Sequence, residues 1–200
     1  MDYNSLYKNN KNVWGKEPNV LLQQYIHHAS EGLEALDIGC GQGRDVIFLA
    51  HQGFKVLAID SSKEAIEQLN SLADELGLSD KISTQVLDAA NLDIEQDKYS
   101  LINIFQVLHF LKKRAAARLL SEAIGGLKEN GVLILSCFSN QDPGFADRKD
   151  NAYFSVGELQ EQFGNTEIIL CTEKKINDPG HPGRNKPHQH QVVYLVVKKN

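Results

Sequence analysis

The sequence has 200 residues and a formal net charge of −5; 42% of its residues are hydrophobic and 24% are charged. This length and composition predict one soluble globular domain over residues 1–200, and no apolar run is long enough to cross a bilayer. A nucleic-acid partner is not expected, because binding to phosphate backbones depends on a surplus of Lys and Arg.

The N-terminal residues 1–30 form a cap segment before the first predicted strand, without the apolar core of a signal peptide. Within it, "EPNVLLQQYIHHA" (17–29) predicts a helix with Pro18 near its first turn. Trp14, just before this helix, is a candidate acceptor contact, although a lone Trp there is also typical of packing. The three cysteines form no C-x-x-C pair, so we expect free thiols and a cytoplasmic location.

Seven apolar runs of strand length follow, and segments of helical period separate the first five. The strands are predicted at 34–38, 55–60, 83–89, 100–108, 131–138, 166–171 and 191–197, and the helices at 43–52, 62–76 and 114–128. Strands that alternate with helices pair in parallel, since parallel neighbours need a crossover. The segment 172–190 is rich in Gly and Pro and is expected to be a loop, so the last two strands should pair antiparallel.

The segment "LDIGCGQGRD" (36–45) joins the first strand to the first helix of this pattern and has glycines at 39, 41 and 43. Such glycines allow a sharp turn and bring a ligand close to main-chain N–H groups at a helix N-terminus. Asp60 ends the next strand, where dinucleotide folds place a ribose-binding carboxylate. Arg44 occupies the last glycine position of the NAD fingerprint, and no G-K-[ST] is present for a triphosphate.

This loop, followed by Asp60 and by "LDA" (87–89), resembles motif I and the later donor-binding positions of class I S-adenosylmethionine (SAM)-dependent methyltransferases. The resemblance extends to "GVLILS" (131–136). It implies a Rossmann-like α/β fold with a seven-stranded, mostly parallel sheet whose last strand is antiparallel. SAM is then the expected cofactor, bound outside the carboxyl ends of the first four strands.

The resemblance also implies donor contacts. Gly39 and Gly41 would border the methionine part of SAM, and Asp60 would hold both hydroxyls of its ribose. Asp88 would accept from the adenine amino group, or else cap a turn. The other expected cofactor-binding residues are Asp37, which would orient the loop, Arg44, which could pair with the donor carboxylate or lie on the surface, and Cys40, Ser61, Ala89 and Gln106.

Methyl transfer from a sulfonium is an in-line displacement, for which the protein aligns the two reactants and excludes water. A thiolate needs no general base, whereas an alcohol or amine must lose a proton to a group such as His109 or His190. The fourth strand ends in "NIFQVLHFL" (103–111), without the [DN]-P-P-[YF] of enzymes that methylate amino groups of DNA and proteins. A small-molecule acceptor is therefore expected.

Three further segments, "LYKNNKNVWGKEPN" (6–19), "YFSVGELQEQF" (153–163) and "DPGHPGRNKPHQHQVVYLVVKK" (178–199), are similar to TehB-like (tellurite-resistance) methyltransferases, with thiopurine-type enzymes as cousins. This implies a soft acceptor such as a thiol or a tellurite or selenite oxyanion. A catalytically silent SAM-binding regulatory protein and a nucleotide-binding oxidoreductase stay open as alternatives. The sequence defines no oligomeric state.

The segment "HPGRNKPHQH" (181–190) contains three histidines and one arginine just before the last strand. An antiparallel last strand begins at the cofactor edge, so this segment should lie beside the donor. His181 and Arg184 are the candidate acceptor-binding residues and His190 is the candidate catalytic residue, with a plain polar loop as the alternative. No metal site is expected, because no cysteine or carboxylate completes a familiar spacing with the histidines.

Overall fold

The computed structural model describes residues 2–29, 33–181 and 184–200, and in these ranges seven strands form one sheet. The strands are β1 (Glu34–Ile38), β2 (Lys55–Asp60), β3 (Ile82–Val86), β4 (Tyr99–Phe105), β5 (Leu127–Phe138), β6 (Glu167–Asp178) and β7 (His188–Lys198). Their order is β3-β2-β1-β4-β5-β7-β6. β7 runs antiparallel to β5 and β6 and the other pairs are parallel, which confirms the predicted sheet.

Helices cover both faces of the sheet. They are α1 (Tyr3–Asn9), α2 (Val20–Tyr25), α3 (Arg44–His51), α4 (Lys63–Glu75), α5 (Lys113–Gly126) and α6 (Val156–Gln162). Along β1, Ala35 packs in the core cluster of α2, α3 and α4, whereas Leu36 packs in that of α5 and α6. Parallel strands buried on both faces explain the nearly continuous apolar runs. Among the helices described, none has the length and apolar character needed to cross a membrane.

The centre of the sheet provides the position for a site. β1 pairs with β2 on one side and with β4 on the other, so the direction of winding reverses there. The loops that follow β1 and β4 diverge at this point and leave a crevice at the carboxyl ends of the strands. Residues 39–43 and residues 106–110 lie in these two loops.

The segment 172–190, predicted to be a loop, is largely a β-hairpin. β6 continues to Asp178 and β7 begins at His188, so only residues 179–187 connect the two strands. The antiparallel ladder runs from the Glu167–Lys198 pair to the Asp178–His188 pair, with an irregularity between Ile168 and Leu170. Pairing satisfies the backbone N–H and C=O groups that face the partner strand, which outweighs the loop-like composition of this segment.

Local capping explains the helices that differ from the prediction. α2 begins later than the predicted segment 17–29, because Asn19 caps it and its side chain accepts from the Leu22 N–H. Pro18 directly precedes this cap, near the first turn as expected. α6 was not predicted, although Ser155 and Glu158 form a capping box at its start. α1 was also not predicted.

Candidate active site

A cavity of about 1160 Å³ lies in the crevice at the carboxyl ends of the strands. The parts of the chain that line it include the glycine loop (39–43), the N-terminal segment (2–19), the loop after β4 (106–110) and the β6–β7 hairpin (167–198). Small-molecule sites typically measure about 300–1,000 Å³. The cavity is therefore large enough for two small reactants side by side.

The glycine loop requires glycine at two positions in particular. Gly39 has φ +72° and Gly43 has φ +87°, in the left-handed region that favours glycine. A Cβ on Gly39 would lie 2.3 Å from Val107 Cγ2, and a Cβ on Gly43 would lie 2.3 Å from Leu69 Cδ1. The backbone of the loop is thus packed directly against the loop after β4 and against α4.

Asp60, at the end of β2, holds this loop through its carboxylate. Its Oδ2 accepts from the Gly41 N–H at 2.8 Å, and its Oδ1 accepts from the Ser62 N–H at 2.8 Å. Burial raises the pKa of Asp60 above its usual value, and the backbone hydrogen bonds oppose that shift. Since each carboxylate oxygen can accept more than one hydrogen bond, the group can also take bonds from a ligand.

A buried polar network adjoins the glycine loop. Asn103 Nδ2 donates to Asp37 Oδ1 at 2.7 Å, and Asp45 accepts from the backbone and side chain of Asn19, both at 2.8 Å. Burial, and then the negative charge of Asp45, raise the pKa of Asp37 to about 8. Asp37 Oδ2 is buried without a hydrogen-bond partner. A cationic ligand would stabilise the charged form of this carboxyl group.

Gln106, which lines the cavity, has a second unsatisfied oxygen. Its φ is +59°, a left-handed conformation that costs a residue other than glycine about 1–3 kcal/mol. Two hydrogen bonds to Ser136 hold it there: the Gln106 N–H donates to the Ser136 carbonyl at 2.8 Å, and Gln106 Nε2 donates to Ser136 Oγ at 2.6 Å. Gln106 Oε1 is left buried without a donor.

Side-chain hydrogen bonds fasten the N-terminal segment over the glycine loop. Gln42 Oε1 accepts from the Val13 N–H at 2.8 Å, and Gln42 Nε2 donates to the Asn10 carbonyl at 2.8 Å. Trp14 Nε1 donates to Tyr7 Oη at 3.1 Å, and both of these rings line the cavity. This segment therefore forms one wall of the cavity.

Arg44 is engaged by the same segment. Its Nη1 donates to the Trp14 carbonyl at 2.8 Å, its Nε lies 3.6 Å from Asp45 Oδ1, and its guanidinium carbon lies 5.5 Å from the centroid of the Phe105 ring. These contacts hold the side chain at the cavity wall. A ligand carboxylate would have to use the guanidinium N–H groups that remain.

His190, on β7, is oriented by a buried carboxylate. His190 Nδ1 lies 2.8 Å from Asp142 Oδ2, which also accepts from the Gln191 N–H at 2.9 Å. Burial alone would raise the pKa of Asp142, but the hydrogen bonds from His190 and from backbone N–H groups outweigh it and lower that pKa. The ionised carboxylate favours a proton on Nδ1 of His190 and leaves Nε2 for other partners.

An aromatic stack joins the two candidate catalytic histidines. The rings of His190 and His109 both stack on Phe138, each with 4.3 Å between centroids. Burial, and then the positive charge of Arg148, lower the pKa of His109 to about 3. A general base works best with a pKa near the operating pH. The buried position therefore disfavours His109 as the proton acceptor.

The end of the hairpin brings together Asp178, His181 and His188, which we call the hairpin cluster. One ligand atom of each residue lies within 4.8 Å of the other two. Asp178 and His188 are partners across the ladder, with 3.8 Å between Oδ2 and Nε2. A metal site was not expected from the sequence, because no carboxylate or cysteine stands at a familiar spacing from the histidines. Asp178 on the opposite strand supplies this carboxylate.

The structure brings most of the predicted site residues to this one cavity. Those that line it are Trp14, Asp37, Gly39, Cys40, Gly41, Arg44, Asp60, Gln106, His109, His181, Arg184 and His190. Ser61, Asp88 and Ala89 are not among the described residues that line it. Asp88 Oδ1 accepts from the Ala90 N–H at 2.8 Å and so caps the turn after β3, the alternative left open for this residue.

Several residues of the site were missed in the sequence. Asp142, Asp178 and Phe138 carried no local signal, because each meets its partner only in the folded chain; the Asp142–His190 contact, for example, spans 48 positions. Tyr7 lies in the segment 6–19 that resembles TehB-like proteins, and that resemblance is the signal that could have identified it.

Residues 35–131 match the family model described as "Methyltransferase domain". The chain is 31% identical over 105 residues to "Ubiquinone biosynthesis O-methyltransferase" from Rickettsia felis, over 52% of this chain and 41% of that protein. It is 24% identical over 140 residues to "Probable S-adenosyl-L-methionine-dependent methyltransferase TehB" from Haemophilus influenzae, over 70% of this chain and 48% of that protein. The matches thus span less than half the length of these relatives.

Among solved structures, the chain is similar to the crystal structure of TehB from Haemophilus influenzae. The TM-score is 0.77 at 19% identity, over 90% of this chain and 61% of that chain. At this identity the likeness shows the fold, and the Rossmann-like α/β fold expected from the sequence is confirmed.

Proposed function

Because this chain belongs to the class I SAM-dependent methyltransferases and is TehB-like, we propose that it transfers the methyl group of SAM to a small-molecule acceptor. One observation carries the proposal. A single cavity joins the glycine loop and Asp60 to the histidines and Arg184 of the hairpin. A donor at the first end and an anionic acceptor at the second would lie next to each other.

The donor end fits SAM. Asp60 has acceptor capacity for ribose hydroxyls beside the Gly41 backbone. The unsatisfied oxygens of Asp37 and Gln106 suit the ammonium and sulfonium charges of the methionine part. Asp88 and Ala89 stand after β3 at the same edge of the sheet, and their contact with the adenine stays a prediction, as does a contact from Ser61.

When bound, SAM would supply a methyl group on a positively charged sulfur that can leave as a neutral thioether. The acceptor would take this methyl group by in-line attack on its carbon. The protein's part is alignment and the exclusion of water. The ring of Tyr7 lies against Gly41 at the donor end, and the stacked rings of His109 and Phe138 form an apolar wall. His109 serves there as a neutral ring. The ring of Trp14 lies 5.2 Å from that of His181, which supports its proposed contact with the acceptor.

The side chains at the acceptor end support the proposed class of substrate. Arg184 supplies positive charge and His181 supplies a ring N–H donor, which suit a thiolate or a tellurite or selenite oxyanion. His190, fixed by Asp142, is the candidate catalytic residue. The three free thiols, Cys40, Cys137 and Cys171, favour the cytoplasm as the compartment in which this acceptor would be met.

The proposal is tested by transfer of a labelled methyl group from SAM to thiols, selenite and tellurite. Replacing His181, Arg184 and His190 together by alanine should lower turnover at least about a hundredfold and change donor affinity by less than about threefold, because these groups act at the acceptor end. The matched control replaces His27, His28 and Arg114, which do not line the cavity, and should keep full turnover.

Two outcomes would contradict the proposal. Equal thermal stabilisation by NAD and by SAM at matched concentrations would favour the nucleotide-binding oxidoreductase. Tight binding of SAM without transfer to any acceptor in the panel would favour the silent SAM-binding regulatory protein.

A further inference from the structure

His188 of the hairpin cluster has the environment of a metal ligand. Its side chain is only 5% exposed, and its Nε2 is buried without a hydrogen-bond partner. Its Nδ1 lies 2.9 Å from the Lys186 carbonyl oxygen, which can only accept. The proton of a neutral ring therefore sits on Nδ1, and the lone pair of Nε2 faces the cluster. Metal-ligating histidines usually donate their other ring N–H to such an outer partner.

Asp178 is likewise held by a hydrogen bond from outside the cluster. Its Oδ1 accepts from the Gly180 N–H at 2.7 Å, and its Oδ2 faces His188 Nε2 at 3.8 Å. Two acceptor atoms that face each other at this distance are both satisfied by a cation between them. His181 adds a third ligand atom from the turn, where it exchanges backbone hydrogen bonds with Arg184.

We propose that Asp178, His181 and His188 bind one divalent transition-metal ion of the zinc type, and that this ion holds the anionic acceptor for methyl transfer. Two imidazoles and one carboxylate are a donor set that leaves a coordination position open. Ligand atoms bonded to zinc lie about 3.3 Å apart, so the side chains have to close by roughly 1 Å. The second part of the proposal rests on the proposed function.

The open position would face the cavity. The three cluster residues line it together with His190, whose ring lies 4.7 Å from that of His188, and Trp14, whose ring lies 5.2 Å from that of His181. A thiol that replaces bound water there binds as the thiolate and releases its proton to solvent. Such a thiolate is a ready nucleophile without a general base.

The test uses the full chain without a histidine tag, stripped of metal by chelation and titrated calorimetrically with Zn²⁺ alone. We expect one zinc ion per chain. Asp178→Asn and His188→Gln should each weaken zinc binding at least about a hundredfold, the upper end of what loss of an outer-shell partner costs. Cobalt substitution should give a visible band typical of tetrahedral nitrogen and oxygen ligands.

The control is His27→Ala, because the rings of His27 and His28 lie 4.2 Å apart and form another place for adventitious zinc. Zinc binding should survive this change. Loss of zinc binding in His27→Ala, or unchanged binding in the cluster variants, would overturn the proposed site.

Binding of S-adenosylhomocysteine, measured on the same samples, separates this proposal from the proposed function. Donor binding without zinc binding overturns the metal site alone, and zinc binding without donor binding overturns the proposed function. If removal of zinc leaves transfer to a thiol unchanged, the role of the ion in holding the acceptor is wrong.

Discussion

At the residue scale, the carboxylate of Asp60 has two roles. Its oxygens accept from the N–H groups of Gly41 and Ser62 and so fix the glycine loop. We predict that their spare acceptor positions bind the ribose hydroxyls of SAM. Burial raises its pKa, so hydrogen-bond donors are needed to keep the group charged. A ligand with two hydroxyls would add such hydrogen-bond donors. Binding of SAM would therefore also stabilise the glycine loop that Asp60 holds.

Asp60→Asn should therefore weaken donor binding. Loss of a hydrogen bond to a charged group costs about 1.5–3 kcal/mol, or roughly ten- to a hundredfold in affinity. Calorimetric titration with S-adenosylhomocysteine measures the effect, and Asp80→Asn, at an exposed acidic position, is the matched control. Unchanged affinity in a folded Asp60→Asn protein would contradict the donor assignment.

At the element scale, the N-terminal segment is a wall held by polar side chains. Besides the Gln42 bonds, Gln68 of α4 donates to the Tyr7 carbonyl at 2.7 Å, and Gln42 Nε2 also donates to Gln68 Oε1 at 2.6 Å. Elements held by few apolar contacts open locally at a lower free energy than the core. Gln42 and Gln68 are thus two of the polar side chains that hold this wall in place.

Gln42→Ala should make this segment open more often. Loss of its hydrogen bonds is expected to lower the local opening free energy by about 1.4 kcal/mol, which corresponds to roughly tenfold faster proteolysis within residues 2–19. Limited proteolysis read by mass spectrometry gives the rate. Gln52→Ala, at an exposed position after α3, should leave that rate unchanged; equal cleavage of both variants and the wild type would show that Gln42 does not hold the wall.

At the scale of the whole molecule, a histidine buried with its Nδ1 lacking a hydrogen-bond partner links stability to pH. Burial lowers the pKa of His109 from its usual 6.5 to about 3, so the folded chain binds fewer protons at this ring than the unfolded chain between those values. The contribution of this group to the free energy of unfolding is fully present above the pKa of the unfolded chain. It is lost as the pH falls toward the pKa of the folded chain.

His109→Phe should remove this dependence, since a phenyl ring fills a similar volume and leaves no unsatisfied nitrogen. Relative to the variant, the wild type should lose about 2 kcal/mol of unfolding free energy between neutral pH and about pH 5. Urea denaturation across that range measures the difference. His51→Phe, at an exposed position on α3, is the control, and parallel pH profiles of wild type and His109→Phe would contradict the buried neutral state.

Much of the fold was predictable because it depends on patterns within short stretches. Apolar runs separated by helical segments predicted the parallel sheet, and the composition before "QVVYLVV" predicted the antiparallel last strand. The glycine loop and Asp60 were predictable for the same reason, since consecutive elements of one β-α-β unit bring them together. The extended hairpin was not, because pairing across the ladder overrode a sequence rich in Gly and Pro.

The sequence by itself determined the proposed donor end: residues 36–45 and Asp60 are joined by one crossover, so their meeting follows from chain order. The tertiary structure alone decided the proposed acceptor end. Asp142 reaches His190 across 48 positions, and Asp178 meets His188 only once β6 and β7 have paired. The tertiary structure also shows that Asp88 caps the turn in which it lies. Contacts between distant segments depend on the register of the assembled sheet, which no local spacing encodes.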